Sequence, residues 1–384
     1  MSLKEFTRNR WTKFIFWALL YVIWVIWLGN FWWLLGLGVI FDIFITKKVH
    51  WNFWKKRYKE GEKRSAANEW LDAVIFAVIV VSFINIFFFQ AFKIPSSSME
   101  RTLYTGDHLF VSKLTYGPRL PQTPLTVPFT HNVIFGKESY STLIQKDYKR
   151  LKGFRNVRRG DIVVFGFPNG DTVLRKAPSE DYYSLCRFYG KQKVVSSLGP
   201  VIARPADKVD HYVKRCVAVP GDTLEIREGL VWIDGVKQET YPGMQISRNI
   251  EKVQSDYREI FPFSPDYTWT RDEFGPLWIP EKGATVQLTR ENLPLYERII
   301  RVYEHSSVEE ALAAGSYTFK QDYYFMMGDN RHNSLDSRYW GFVPEDHIVG
   351  RPVVIWLSTD EGKRFPKNIR WGRFLKFVQL NINK

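Results

Sequence analysis

The sequence predicts a mainly β protein, in which a folded sheet or barrel carries an inserted smaller domain and is anchored by N-terminal transmembrane helices. Two observations lead to this prediction. Beyond residue 92 the chain is a series of short apolar runs bounded by glycine, proline and aspartate, the pattern of strands joined by turns. Before residue 92 the apolar runs are long, and helical signals elsewhere are sparse. We therefore expect a membrane part followed by a β-rich part.

The composition indicates contact with lipid. The 384-residue chain carries 54 basic and 40 acidic residues, a net charge of +14, and such a balance suits either lipid or nucleic acid. Because many basic residues flank the apolar runs, we expect the lipid bilayer as a partner and no nucleic acid. The two cysteines, Cys186 and Cys216, form neither a disulfide framework nor a metal pattern. A single disulfide and two free thiols both remain open.

Two apolar runs near the N-terminus, residues 14–28 and 31–45, are separated by the turn signal Gly29-Asn30. As a helix each would span about 22 Å, short of the roughly 30 Å hydrocarbon core of a bilayer. Either a hairpin of two spans or one long helix across Gly29 fits these lengths. A cleavable leader fits poorly, because the apolar region is too long and no A-x-A site follows it.

The basic residues that flank these runs favour the hairpin. Residues 47–64 form a basic loop and residues 1–13 are also basic. The positive-inside rule places both segments on the cytoplasmic side, which requires two crossings between them. A third apolar run, residues 71–89, would span about 28 Å as a helix. We therefore predict three spans, with the chain from residue 93 onward outside the cytoplasm.

The β-rich part contains a predicted hairpin that turns at Asp234-Gly235. Helical signals are confined to residues 142–150 and to residues 293–304, for which Asn292 would be the cap. No internal repeat is evident. The predicted domains are a membrane anchor at 1–92, a core formed by 93–224 and 321–360, an inserted cap domain at 225–320, and a basic C-terminal tail at 361–384.

A serine triplet, Ser96-Ser97-Ser98, comes directly after the third apolar run. By the reach of an extended chain, it lies no more than about 30 Å from the end of that run. Serine is a weak nucleophile unless a base accepts its proton, and the usual base is a histidine held by a carboxylate. None of the outer histidines has an acid partner evident in the sequence: His108, His131, His211, His305, His332 and His347.

Lys214 is the stronger candidate for the base. In the run DHYVKRCVAVPGD, strand alternation places Tyr212, Lys214 and Cys216 on one face and Arg215 on the other. A strand lysine is usually solvated, but burial would disfavour its charged form. To act as a base near neutral pH, its pKa must fall by about two units from about 10.4.

The run GDNRHNSLDSRYWGFVPEDHIVG, residues 328–350, has the residue types of a supporting loop. Ser334 could hydrogen-bond the neutral amine of Lys214 and orient it, since bases of this kind need such a partner. Asp336 and Arg338 could form an ion pair that holds the loop. Oxyanion stabilisation needs two donors, and the hydroxyl of Ser96 and the backbone N–H of Ser98 are candidates.

Together these segments resemble bacterial type I signal peptidase, the membrane-bound Ser/Lys endopeptidase that removes secretory signal peptides. The resemblance rests on four blocks in the family's order. They are IPSSSM with TLYTGD, RRGDIVVFGFP at residues 158–168, YVKRCVAVPGD, and GDNRHNSLDSRYWGFVPEDHIVG. The blocks cover a minority of the chain, but their order and spacing are specific.

The resemblance implies a role for each residue of these blocks. Ser98 would be the nucleophile and Lys214 the general base, with Ser96 and the backbone N–H of Ser98 stabilising the oxyanion. The other implied residues are Ser334, which would orient Lys214, the supporting pair Asp336 and Arg338, and a substrate pocket of Ile94, Pro95, Met99, Leu103, Leu109, Tyr212 and Val213.

The resemblance also implies a function. The protein would cleave N-terminal signal peptides from exported preproteins after small residues, at A-x-A sites, without a cofactor or a metal. The substrate would add as an extended strand beside residues 92–96. A catalytic β core with an inserted cap would lie on the periplasmic face of the bacterial inner membrane, as a multi-pass monomer.

Three features depart from the family pattern. Glu100-Arg101 stands where the family usually has a proline before Thr102, the segment 169–211 is longer than typical, and three spans exceed the usual one or two. These features leave a second hypothesis open, a dedicated Ser/Lys processing peptidase with a narrower substrate. A third hypothesis is an inactive, membrane-tethered peptide-binding scaffold, against which the intact set of serines and lysine argues.

Overall fold

The structure, a computed structural model, describes residues 9–49 and 65–378. The chain divides into two compact units, Met1–Phe83 and Ile84–Lys384. Most of the predicted basic loop and the last residues of the predicted C-terminal tail lie outside the described residues. The α-helices are α1 Arg10–Leu28, α2 Gly36–Phe41, α3 Ala66–Phe87, α4 Tyr182–Tyr189, α5 Lys191–Leu198, α6 Leu293–Arg298, α7 Val308–Ala314 and α8 Ser337–Trp340.

The β-strands are short, as the sequence predicts. They are β1 Phe89–Lys93, β2 Asp107–Ser112, β3 Val133–Ile134, β4 Lys137–Glu138, β5 Ile162–Gly166, β6 Thr172–Leu174, β7 Val201–Ala203, β8 His211–Ala218, β9 Thr223–Arg227, β10 Leu230–Ile233, β11 Val236–Lys237, β12 Phe274–Trp278, β13 Thr285–Gln287, β14 Ser316–Thr318, β15 Tyr323–Met327, β16 Val343–Pro344, β17 Ile348–Ser358 and β18 Lys376–Phe377.

The first two apolar runs form a helical hairpin. Helix α1 ends at Gly29, which has φ 66° and donates its N–H to Val25 O at 3.0 Å, because glycine adopts this left-handed conformation without strain. The chain then returns through a 3₁₀ turn, α2 and a π-helical turn that ends at Thr46. The Tyr21 hydroxyl donates to Trp33 O at 2.6 Å across the hairpin. The alternative of one long helix across Gly29 is therefore wrong.

Two described helices, α1 and α3, are long and apolar enough to cross a membrane. The middle run is shorter, because its helical part covers only Phe31–Thr46, and a spanning helix needs about 20 residues. The third run also differs from its predicted bounds. Helix α3 starts earlier, at Ala66, and ends at Phe87, because Phe89 already pairs with Ser112 as the first residue of β1.

The main sheet has the order β1-β2-β17-β5-β8-β15-β16, with β18 beside β17. All of its ladders are antiparallel. The long strand β17 pairs with β5 through its first residues and with β2 through the rest, and both ladders contain register shifts. Such irregularities increase the local twist. The sheet therefore curls, and the prediction of a mainly β protein with a folded sheet is confirmed.

A second sheet has the order β11-β10-β9-β12. Asp234 and Gly235 join β10 to β11 with φ of 51° and 77°, the positive angles that a two-residue hairpin turn requires. The predicted hairpin is confirmed. The core beneath this sheet joins residues of the predicted insert, such as Ile226 and Leu277, to Ala218 and Phe325 of the main sheet. The domain boundaries at 225 and 320 stay a prediction.

The helix predictions had mixed outcomes. Of the predicted 293–304, residues 293–303 are helical, as α6 and a π-helical continuation. The Asn292 side chain accepts from Thr289 N instead of capping the helix. Residues 142–150 are not helical. Leu143 is 89% exposed, so this segment has no buried face to stabilise a helix. The end of segment 142–150 is extended instead. There Lys149 O accepts a hydrogen bond from Leu120 N at 2.9 Å.

The long segment 169–211 contains two helices that the sequence did not predict, α4 and α5. The Asp181 carboxylate caps α4 by accepting from Tyr183 N at 2.9 Å. An N-cap aspartate is a readable signal, and it could have revealed α4. Both cysteines are free thiols, Cys186 partly buried and Cys216 buried.

Candidate active site

Ser98 lies in a turn between β1 and β2, here called the serine turn, residues 96–103. The base of this loop is closed by Ile94, which donates its N–H to Asp107 O and accepts from Gly106 N, both at 2.9 Å. Met99 is 1% exposed and accepts at its carbonyl from Leu103 N at 2.7 Å. Buried apolar side chains therefore hold the turn, and Ser98 itself is buried.

Lys214 lies on β8, where the ladder with β5 pairs it with Val163. Its Nζ is 2.6 Å from Ser98 Oγ, and the lysine is 4% exposed. The ammonium position is also 5.6 Å from the ring centroid of Tyr212, on the same strand face. The curl of the sheet thus brings together two groups that are far apart in the sequence.

Burial lowers the pKa of Lys214 from 10.5 to about 8. The carboxylates of Asp336 and Asp329 act in the opposite direction, and Arg338 adds to the lowering. Lys214 forms no salt bridge with any described residue. A substantial fraction of the amine is therefore neutral at mildly alkaline pH, when it can accept a proton.

The Ser98 hydroxyl has two neighbours at hydrogen-bond distance among the described side chains, Lys214 Nζ and Ser96 Oγ, the latter at 3.3 Å. No histidine among the described residues forms a hydrogen bond with the Ser98 hydroxyl. His332, for example, is bonded to Asp272 at 3.1 Å. The backbone N–H of Ser98 has no acceptor among the hydrogen bonds of residues 65–378, so it is available to an incoming oxygen.

Residues 328–338, here called the closing loop, contain a buried ion pair. Arg338 donates through Nε and Nη2 to the two oxygens of Asp336, both at 2.8 Å. Burial alone would raise the pKa of Asp336, but the guanidinium of Arg338 holds that pKa below its ordinary value. Gly328 N also donates to Asp336 at 3.1 Å. This paired geometry fixes the shape of the loop.

Ser334 lies inside the closing loop. Its hydroxyl is buried and makes no hydrogen bond of good geometry with any described residue, including Lys214. It is close enough to Asp336 to help lower the pKa of that carboxyl. The orienting bond from Ser334 to Lys214 that the resemblance implies is thus not formed here, although the side chain is buried next to the ion pair that influences the lysine.

The closing loop holds the serine turn directly. Asn330 donates from its backbone N–H to Ser98 O at 3.0 Å and from its side chain to Ser97 O at 3.2 Å. Asn333 donates to the Ser97 hydroxyl at 2.8 Å. Gly328 lies so close that a Cβ there would be 2.7 Å from Ser98 O. The position of the Ser98 backbone therefore depends on this loop.

A second buried ion pair was missed by the sequence analysis. Arg215 donates through Nε and Nη2 to Asp329 at 2.7 and 2.6 Å, and the Thr102 hydroxyl donates to the same carboxylate at 2.6 Å. Asp329 thus joins β8, the closing loop and the serine turn. The sequence offered one signal for this pair. Arg215 follows Lys214 directly, and Asp329 follows Gly328 at the start of the closing loop.

A segment of the second sheet's region, residues 243–247, also reaches the site and carried no sequence signal. Gln245 pairs through its backbone with the closing loop, donating to Asp329 O at 2.8 Å and accepting from Arg331 N at 3.0 Å. Its side chain donates to Glu100 O at 3.2 Å in the serine turn. Gln245 therefore bridges the two loops.

A cleft of about 290 Å³ opens beside Ser98 and Lys214. Of the predicted pocket residues, five line it: Ile94, Pro95, Met99, Tyr212 and Val213. Leu103 and Leu109 do not; both are fully buried in the apolar core behind Met99. The lining residues that the sequence analysis did not include are Phe92, Lys93, Ser97, His211, Asn333 and Leu335. In the described part of the chain, no group of histidine, cysteine and acidic side chains could hold a metal ion.

Comparison with known proteins shows the family to which the chain belongs. The model of the family described as signal peptidase, peptidase S26, matches residues 67–357. A signal peptidase I of Buchnera aphidicola is 24% identical over 357 residues, which cover 90% of this chain and 93% of the relative. That of Haemophilus influenzae is 27% identical over 324 residues, 83% of this chain and 78% of the relative.

A signal peptidase I of Helicobacter pylori is 26% identical and covers 81% of this chain and 91% of the relative. A solved structure of a signal peptidase I from Enterococcus faecalis matches with a TM-score of 0.24 and 19% identity, over 51% of this chain and 97% of that chain. Because the family model matches most of the chain, the protein belongs to the signal peptidase family S26. It is a serine peptidase, and the predicted resemblance is confirmed.

The lowered pKa of Lys214 predicts the pH dependence of peptidase activity. Below its pKa of about 8 the amine is protonated and cannot accept the serine proton, so kcat/KM should rise by about tenfold per pH unit there and level off above. Measuring kcat/KM between pH 6 and pH 10 tests this. A rate that stays flat or falls over this range would contradict it.

The close contact of Gly328 predicts that Gly328→Ala is damaging. The new Cβ would lie 2.2 Å from Ser334 Oγ and 2.7 Å from Ser98 O, so both loops must shift. A displacement of catalytic groups by about 1 Å can lower kcat by about a hundredfold. Gly372→Ala, where a Cβ meets nothing within 4 Å, is the matched control. Comparable activity of the two variants, with unchanged circular dichroism, would argue against the proposed coupling.

The bridging position of Gln245 predicts a smaller effect. Gln245→Ala keeps the backbone pairing but loses the bond to Glu100 O, and one such bond is worth about 1 kcal/mol, or roughly fivefold in kcat. KM should change little. Gln238→Ala removes an exposed bond to Val236 O and should leave kcat at the parental value; an equal loss in both variants would rule out a specific role.

Proposed function

We propose that the protein is a Ser/Lys endopeptidase that removes N-terminal signal peptides from exported preproteins. Membership in the signal peptidase family supports the substrate class. The observation that carries the catalytic assignment is the 2.6 Å approach of Lys214 Nζ to Ser98 Oγ in a buried site. No cofactor enters the proposed reaction.

In the proposed acylation step, the neutral amine of Lys214 accepts the hydroxyl proton of Ser98 while Oγ attacks the scissile carbonyl carbon. The carbonyl oxygen becomes an oxyanion, which the Ser96 hydroxyl and the Ser98 backbone N–H stabilise by donating hydrogen bonds. The intermediate collapses as the C–N bond breaks. The ammonium of Lys214 returns the proton to the leaving amine, and the released product is the mature chain.

In the deacylation step, Lys214 takes a proton from water, and the resulting hydroxide attacks the ester carbonyl. The same two donors stabilise the second oxyanion, after which Ser98 Oγ leaves and recovers the proton. Asp336 and Arg338 act by holding the closing loop in place. We assign Ser334 to orienting Lys214 during this cycle, because its hydroxyl is buried near the amine's electrostatic partners without a bond of its own.

The strand edges beside the cleft support a mode of substrate binding. Among the described residues, strand β1 lies at the edge of the main sheet and pairs only with β2. The ladder between β8 and β15 ends at Arg215, so no other described strand pairs with residues 211–214 on that side. An extended peptide can therefore add beside residues 92–96, with backbone hydrogen bonds for affinity and the cleft for side-chain selection. Ile94 and Met99 restrict the cleft to small side chains, and cleavage after A-x-A sequences follows.

The apolar helices support membrane attachment. With α1 and α3 long enough to span, we propose that the protein is anchored in the bacterial inner membrane as a multi-pass monomer. By the positive-inside rule the N-terminus and the basic loop face the cytoplasm, so the shorter return run Phe31–Thr46 must cross back as the second arm of the hairpin with α1. Residues from 93 onward then lie on the periplasmic face, where exported preproteins emerge.

A narrower substrate range is the second candidate. Arg101, in the position before Thr102, has φ 70°, an unusual conformation for a residue other than glycine. Helices α4 and α5 lie within the segment 169–211, which is longer than is typical of the family. Cleavage of unrelated A-x-A peptides at similar kcat/KM would exclude this candidate. A dedicated enzyme would leave such peptides intact and cleave one preprotein.

The dyad predicts the outcome of substitution. Ser98→Ala and Lys214→Ala should each abolish preprotein cleavage in detergent, because one removes the nucleophile and the other its base. Ser96→Ala should lower kcat by about a hundredfold or more, as expected for one oxyanion donor. Gel-based cleavage of a preprotein and labelling of Ser98 by a penem-type acylating probe measure these effects.

The neighbouring serine provides the control. Ser97→Ala loses only the hydroxyl that accepts from Asn333, so its activity should stay within about tenfold of the parent. If either dyad variant also stays within that range, the dyad assignment fails. If Ser98 of the parent takes up no acylating probe, the inactive scaffold becomes the better explanation.

A further inference from the structure

A second cavity, larger than the cleft, lies in the Ile84–Lys384 unit. Its volume is about 470 Å³. Its walls come from α4, from residues 261–265, and from α6 with its π-helical continuation, while Trp340 and Phe342 close it from below. Apart from Trp340 and Phe342, these segments belong to the long 169–211 stretch and to the predicted insert, and none of the residues that line the cavity also lines the cleft.

The lining of this cavity suits an organic ligand. Aromatic rings and prolines predominate, notably Tyr183, Phe261, Pro262, Phe263 and Tyr303. Pockets of several hundred Å³ with mostly apolar walls and a few polar groups are typical ligand sites. Flat aromatic rings next to prolines are also the surfaces on which proline-containing peptides are recognised.

Of the arginines that line the cavity, Arg187 alone has no counter-ion within the part of the chain that the structure describes. Arg298 is paired with Asp171 at 3.0 Å, and Arg301 with Glu297 at 3.1 Å. Arg187 has no carboxylate within 4.0 Å among the described residues. Its Nε donates to Arg258 O at 3.1 Å, and its guanidinium lies 3.6 Å from the ring centroid of Phe263. The two Nη groups thus remain as donors for an anionic partner.

The electrostatic state of Arg187 supports this conclusion. Burial lowers the pKa of its guanidinium, and the nearby Arg298 acts in the same direction against the carboxylate of Asp181. A desolvated guanidinium is stabilised when a carboxylate accepts from it in a bidentate bond. A ligand that brings one negative charge beside an apolar group would complement this cavity.

The cavity and the cleft share a wall. Trp340 lines the cavity and contacts Tyr212, a residue of the cleft, at a ring distance of 5.6 Å. Phe167 completes the layer, 5.2 Å from Trp340 and stacked on Tyr212 at 4.6 Å. A single aromatic layer therefore separates the cavity from the cleft.

We propose that this cavity is a second binding site for the polypeptide substrate, and that it takes an aromatic or proline residue next to an acidic residue. The proposal rests on the proposed function, because that function makes a preprotein the resident polypeptide. The acidic side chain binds the Nη groups of Arg187. The aromatic or proline residue packs between Phe263 and Tyr303. Such a site adds affinity for the preprotein without touching the reacting atoms.

Binding is tested first, on the full chain in detergent with Ser98→Ala to prevent cleavage. The probe is a fluorescein-labelled peptide that contains Phe-Pro-Asp, and its Kd is read by anisotropy. Arg187→Glu should raise the Kd by about tenfold or more, since it replaces a charge-assisted bond by repulsion. Lys191→Glu, on the exposed helix α5, makes the same change in net charge and should leave the Kd unaltered.

A charge-swapped probe completes the binding test. With Phe-Pro-Lys in place of Phe-Pro-Asp, the order of affinities should reverse, so that Arg187→Glu binds better than the parent chain. Equal binding of both probes by parent and Arg187→Glu would overturn the proposal. It would also be overturned if sodium oleate displaced the peptide at equimolar concentration, because the cavity would then be a lipid site.

Cleavage separates this proposal from the proposed function. For a preprotein that contains the acidic-aromatic segment, Arg187→Glu should raise KM with kcat unchanged. For a short peptide that fills only the cleft, both constants should match the parent. If the parent cleaves neither substrate, the proposed function fails while the binding measurements still decide the cavity. A fall in kcat for the short peptide would mean that Arg187 has a structural role instead.

Discussion

The rest of the structure depends on one interaction, the dry contact between the amine of Lys214 and the hydroxyl of Ser98 at 2.6 Å. A lysine can accept a proton near neutral pH only if water is kept from it, because solvation favours the ammonium ion. Burial at 4% exposure achieves this. It also imposes a constraint, since any carboxylate placed beside the amine would restore its charge. The carboxylates near the site, those of Asp336 and Asp329, each accept hydrogen bonds from an arginine instead.

Two buried ion pairs therefore lie close to a lysine whose pKa burial has lowered to about 8. Asp336 is bonded by Arg338 and Asp329 by Arg215, each through two hydrogen bonds. A buried ion pair adds little net stability, but the loss of one partner leaves a costly isolated charge. The pairs are therefore better understood as devices that fix loop geometry. They bring β8, the closing loop and the serine turn into one arrangement, and no carboxylate of the described residues forms a salt bridge with the amine.

The second sheet's region takes part in this arrangement. Through residues 243–247 it pairs with the closing loop and contacts the serine turn at Glu100, and it shares an apolar core with the main sheet. The same region contributes residues 261–265 to the wall of the larger cavity, which one aromatic layer separates from the cleft. A segment that the sequence presents as an insert thus supports both the serine turn and the closing loop.

The sequence by itself determined the local features. Turn residues such as Asp234-Gly235, the alternation along β8, the break at Gly29 and the residue types at Ser98 and Lys214 all act over a few residues, so they are legible without a fold. Only the tertiary structure decided which residues are in contact with one another. It buried Leu103 and Leu109 behind the cleft, left residues 142–150 without a buried face for a helix, and brought Gln245 between two loops. These outcomes depend on contacts between residues far apart in the chain, and no local pattern encodes a contact whose partner is set by the curl of a sheet.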